Sequence, residues 1–153
     1  MKKTLFAVFA LLFVAGYSIA QKKPASPPMT SESDMVTVKY NAPSKKGRKI
    51  FGGLVPYGKV WRTCANSATQ VTFNKDVNFA GADVKAGTYA LFTIPGEKGW
   101  TVILNTVAKQ WGAYDYDASK NVAEVKVKPM VGESEVEVFT ITASDSNINM
   151  SWD

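Results

Sequence analysis

Trp61 and Arg62 stand side by side, a ring with a face to stack on and a guanidinium fork that can hold a carboxylate, phosphate or sulfate in bidentate fashion. Arg62 is one of only two arginines; the other, Arg48, sits in Lys45-Lys46-Gly47-Arg48-Lys49, four cations in five positions. With the Gly47 backbone, Arg48 has the makings of an anion site. From Ile50 to Arg62 the chain carries Gly52, Gly53, Gly58 and Pro56 with three aromatics, the composition of a long ordered loop that runs on to Asn66. A second cluster, Trp111-Gly112-Ala113-Tyr114-Asp115-Tyr116-Asp117, sets aromatic faces beside polar groups, which suits a sugar or another flat hydroxylated ligand. Each feature also has a structural reading. The basic run can be a solvated loop, Trp61 can cap a core with Arg62 satisfying loop carbonyls, and Trp111 and Tyr114 can close an edge.

Other chemistries are excluded or weakened. Histidine is absent, which removes Ser–His and Cys–His nucleophile pairs, imidazole metal ligands and the usual pH switch. Cys64 is the only cysteine, so no intramolecular disulfide exists, and the residue reads as a small buried apolar group. Asp115, Asp117, Ser119 and Asn121 match the first ligand spacings of a calcium loop, but Lys120 and Lys126 stand where its turn glycine and bidentate glutamate belong. No metal is expected. Gly52-Gly53 lacks the strand–turn–helix setting of a nucleotide fingerprint, and no cofactor is expected either. Asp115 and Asp117 would sit ~7 Å apart on one face of a strand, a spacing that does not exclude a glycosidase pair, with nothing else pointing to one.

These residues must be positioned by β-structure. Val36, Val38 and Tyr40, then Thr69, Val71 and Phe73, then Ala123, Val125 and Val127, and finally Ile148, Met150 and Trp152 recur with period two, the mark of half-buried strands. Tyr89 to Ile94 and Thr101 to Leu104 are apolar or β-branched on both faces and read as central strands. Between Val136 and Ile141 the apolar phase slips, which predicts a bulge near Val138. Gly81-Ala82-Asp83 and Pro95 to Gly99 predict hairpins. Gly87-Thr88-Tyr89 predicts a buried tyrosine that returns its hydroxyl to nearby backbone. The expected fold is an all-β antiparallel β-sandwich, with a small β-barrel as the alternative.

The chain's beginning bears on compartment. Lys2 and Lys3, the apolar run Leu5 to Ala15 and Ser18-Ile19-Ala20 read as a cleavable signal peptide over residues 1–20, too short in its apolar part to span a bilayer. The expected destination is periplasmic or extracellular, with no transmembrane segment in the mature chain. Residues 21–34, rich in Pro, Ser and Lys, read as a flexible tether, and 35–153 as a single domain. The formal charge of +5 includes Lys2 and Lys3, and the remaining excess is too mild to imply nucleic acid.

Several motifs occur together and in order: KGRKIFGGLVPYGKVWRTCAN from Lys46, AGTYALFTIPG from Ala86, WTVILN from Trp100 and QWGAY from Gln110. Together they resemble the secreted bacterial domains grouped as domain-of-unknown-function family 2911, with a likeness running from about Val36 to Trp152. The resemblance implies an exported β-rich domain with no assigned active site, so no catalytic residue is carried over from it. Relatives usually have Gly where Cys64 stands, and they continue past the position of Asp153, so the last strand is expected to be shortened here. The leading functional expectation is a non-catalytic exported domain binding a small molecule, glycan or envelope partner through Arg48, Trp61, Arg62, Asn66, Trp111 and Tyr114. A carboxylate hydrolase and a structural envelope component are the alternatives.

Overall fold

The structure, a computed structural model, describes residues 25–153; the signal-peptide reading of residues 1–20 and the first part of the tether lie outside them. The alternating segments form strands β1 (Pro28–Glu32), β2 (Val36–Asn41), β3 (Thr69–Phe73), β4 (Val77–Phe79), β5 (Ala82–Val84), β6 (Gly87–Ile94), β7 (Trp100–Asn105), β8 (Asn121–Val127), β9 (Thr140–Ala143) and β10 (Ile148–Ser151). A six-stranded sheet runs in the order β1-β2-β3-β6-β7-β8, and β4–β5 and β9–β10 are separate hairpins. All pairings are antiparallel. None of the sheets closes on itself, so the fold is the expected antiparallel sandwich and not the barrel. Among the described residues no helix is long and apolar enough to cross a membrane.

The core follows from strand periodicity. Val38, Val71, Leu91 and Leu104 point from β2, β3, β6 and β7 to one face, where Phe139, Ile141 and Trp152 cover them. The other face is covered only at its centre: Ala90, Phe92 and Ile103 pack with Ala68, Val60, Ala113 and Tyr116. That double cover is why β6 is buried from Tyr89 to Thr93 without alternation. Tyr89 closes the expected corner, its hydroxyl donating to the Lys85 carbonyl at 2.9 Å.

Two expectations need correction. Pro28–Glu32, read as tether, is an edge strand in register with β2 from Pro28↔Asn41 to Glu32↔Thr37. Four of its five residues are exposed, so main-chain hydrogen bonds hold it, and its proline takes the first position of an edge strand, where a missing N–H is tolerated. The slip between Val136 and Ile141 is a wider excursion than the one-residue bulge expected near Val138. Val138 bridges Ser44, Phe139 donates its N–H to the Pro43 carbonyl, and only from Thr140 does the chain pair with β10. Before the slip Val136 exchanges main-chain bonds with Asp153, just past β10, so residues 137–139 stand opposite Trp152 alone and the apolar phase shifts across that excursion.

Candidate functional site

The long connection from β2 to β3 builds the site. It opens on the basic run, where Lys46 (φ 51°) and Gly47 (φ 68°) make a left-handed turn. Arg48 folds back over that turn, Nε donating to the Lys45 carbonyl at 2.9 Å and Nη2 to the Ser44 carbonyl at 2.7 Å. Lys45 is drawn off by Glu135 and Asp153, and the bonds to those carboxylates raise its pKa. The next turn is tight: Leu54 and Val55 donate to the carbonyls of Lys49 and Ile50 at 3.0 and 2.9 Å. Gly53 packs so closely on the Lys49 carbonyl that a Cβ would collide with it.

Trp61 then docks against β6, exchanging both main-chain hydrogen bonds with Thr93 at 2.7 and 2.9 Å. Its ring is core. It stacks on Trp152 at 6.0 Å and meets Phe139 and Phe51 edge-on at 5.5 and 6.2 Å. The next but one residue, Thr63, is fully buried with φ 58°, a left-handed conformation that costs a β-branched residue roughly 1–2 kcal/mol. Threonine hydroxyls hold it there: Thr63 Oγ1 donates to the Trp61 carbonyl and can accept from Thr93 Oγ1, both at 3.2 Å, and Thr69 Oγ1 donates to the Thr63 carbonyl at 3.0 Å. Arg62 lies between these two clamps.

The half-buried Arg62 faces a cleft of about 570 Å³, shared with Arg48 and Lys46 and backed by Val55, Trp61 and Trp152. No residue lining the cleft is acidic. Arg62 makes no ion pair among the described residues, and its Nε is buried without a hydrogen-bond partner. A guanidinium with no acidic partner among the described residues, facing a cleft lined by cations and no carboxylate, is the feature of this chain that most calls for an anion. Cys64 also borders the cleft but is 2% exposed; its thiol donates to the Ser67 carbonyl at 2.9 Å, and burial pushes its pKa up.

Trp111 lies elsewhere. It is 63% exposed and borders a separate, shallower hollow of about 360 Å³ with Ser67, Gln70, Lys109 and Gln110. Its segment is tied to the β2–β3 connection by the Ser67–Trp111 bridge, by Gly112 N–H on the Asn66 carbonyl at 3.0 Å and by Ala68 N–H on the Gln110 carbonyl at 2.9 Å. Asn66, exposed and left-handed at φ 60°, lies in sequence between Ala65 at the cleft and Ser67 at the hollow and lines neither. Tyr114 is 84% exposed, folds under Gly112 and borders neither. Asp117 caps a short 3-10 turn, Ala118–Lys120, accepting from the Ser119 N–H at 2.9 Å, and its bonds with Ser119 hold its carboxyl below the usual range, the reverse of what a general acid needs.

Of the six residues expected at a site, Arg48, Trp61 and Arg62 meet at one cleft, Trp111 borders the other hollow, Asn66 lies between them in sequence, and Tyr114 is apart. Sequence reasoning missed Thr63 and Gln110. Nothing in a threonine's neighbours announces a positive φ, whereas the glutamine next to Trp111 was open to notice.

The family described as "Protein of unknown function (DUF2911)" matches residues 24–153, which take in the whole β domain with its edge strand β1. No curated protein and no solved structure matches the chain. With most of its length matched in this way, the chain belongs to the DUF2911 family.

Proposed function

We propose that this protein is a non-catalytic exported domain that binds an anionic ligand, one bearing a carboxylate, phosphate or sulfate, in the cleft at Arg62. One observation carries the reading: a half-buried arginine, clamped by a strained Thr63, faces an acid-free cleft and has no ion-pair partner among the described residues. The cleft's volume is that of a small-molecule site. Arg48 keeps guanidinium N–H groups beyond the two it spends on carbonyls, and the exposed Lys46 adds a further positive charge at the rim. Export rests on the reading of Met1 to Ala20, which places the ligand in the periplasm or outside the cell. A hydrolase using Asp115 or Asp117 has no comparable support, since both are exposed and Asp117 is spent on its cap.

Thermal melts in phosphate, sulfate and succinate, against chloride at matched ionic strength, test the proposal. A ligand at a hundred times its Kd stabilises the native state by about 2.7 kcal/mol. A rise in melting temperature that saturates with one of these anions and is lost in Arg62→Gln is the expected result. Curves that follow ionic strength alone would overturn it.

A further inference from the structure

The Trp111 hollow differs in chemistry from the cleft beside it. Ser67, Gln70 and Gln110 line it, with Lys109 the only charge. Gln110 is 7% exposed; its Nε2 donates to the Val107 carbonyl at 2.7 Å and to Asn105 Oδ1 at 3.3 Å, so its amide is committed to the fold and forms the floor of the hollow. An exposed indole flanked by the Gln70 amide and the Ser67 hydroxyl suits a pyranose ring: the polarised C–H face lies on the negative ring face, and the sugar hydroxyls exchange hydrogen bonds with those two groups. The two hollows are close. Ala65 borders the cleft and Ser67 the Trp111 hollow, and two residues' separation cannot exceed about 7 Å between Cα atoms.

We infer that the ligand is an acidic oligosaccharide that straddles the two hollows, one sugar ring on Trp111 and the carboxylate or sulfate of a neighbouring unit on Arg62. This rests on the anion reading of the cleft and adds to it the class of ligand. Charge complementarity favours an acidic occupant, because Lys46, Arg48, Arg62 and Lys109 edge the two hollows and no carboxylate does.

Calorimetric titration of the purified protein with galacturonate, hexagalacturonate and maltohexaose tests it. The hexagalacturonate is expected to bind at least tenfold tighter than the monosaccharide, and maltohexaose more weakly than either. Trp111→Ala should abolish the advantage of length and leave galacturonate binding intact, while Arg62→Lys should weaken both acidic ligands. An unchanged melting temperature shows that each variant is folded. Hexagalacturonate no tighter than galacturonate, or unaffected by Trp111→Ala, overturns the straddling ligand and leaves the anion cleft standing. Maltohexaose bound as tightly as hexagalacturonate and indifferent to Arg62→Lys overturns the acidic class and the anion reading together. Binding of none of the three overturns this inference, while inorganic anions still decide the cleft.

Discussion

Replacing Trp61 and Trp111 separately by alanine should have very unequal consequences for stability, although both residues lie in glycine-containing aromatic segments. Trp61 is 9% exposed and touches Trp152, Phe139 and Phe51 through one stacked and two edge-on contacts. Truncating such a ring typically costs about 3–5 kcal/mol, against a total stability of about 5–15 kcal/mol for a domain. With a urea m-value of about 2 kcal/mol/M, Trp61→Ala should lower the unfolding midpoint by about 1.5–2.5 M. Trp111, 63% exposed, leaves little behind when removed, and a surface change of this kind stays within about 0.5 kcal/mol. Its midpoint should move by less than about 0.3 M on the same m-value. Urea titrations followed by far-UV circular dichroism read both. Equal shifts, or a larger one for Trp111, would refute the assignment of one ring to the core and the other to the surface.

Tyr89→Phe keeps the buried ring and removes the hydroxyl bond to Lys85, so thermal melts should report a loss of about 1 kcal/mol; an unchanged melting temperature would mean that the corner bond carries no weight. Gly53→Ala forces a Cβ onto the Lys49 carbonyl and should destabilise by about 1–3 kcal/mol, with weaker anion binding because the turn also sets Leu54 and Val55 at the cleft. Cys64, raised in pKa by burial, should resist thiol reagents in native buffer and react fully in denaturant. Because its folded pKa lies above the unfolded one, the stability it contributes is complete below the ordinary thiol range and is lost as pH rises through the folded value. Rapid labelling of the native protein at neutral pH would contradict its burial.

Much of the sheet was legible because period two maps directly onto burial. Val36, Val38 and Tyr40 are all buried, as are Thr69, Val71 and Phe73. The Gly87-Thr88-Tyr89 corner was legible because a tyrosine needs one bond when buried. Strand β1 was not: its side chains are mostly exposed, and main-chain pairing leaves no mark on composition. Nor could sequence separate Trp61 from Trp111. What buries Trp61 is its bridge to Thr93 and the ring of Trp152, both distant along the chain. The setting of Arg62 was half legible. Its neighbour Trp61 pointed to recognition for the wrong reason, since that ring backs the cleft from the core, and the strain at Thr63 has no local signature.

Arg62→Lys is the most direct test of anion recognition, since it keeps the charge and removes the fork. Hydrogen bonds to charged groups contribute about 1.5–3 kcal/mol, so losing the bidentate geometry should weaken the best-binding anion about 10- to 100-fold by calorimetry. Without ligand the melting temperature should stay within about 2 °C of the parent, a loss well under 1 kcal/mol, because Arg62 makes no side-chain ion pair among the described residues and its buried Nε has no partner to lose. A fall of many degrees with no ligand present, or an affinity that Arg62→Lys leaves unchanged, would contradict the reading and make Arg62 a brace for its loop.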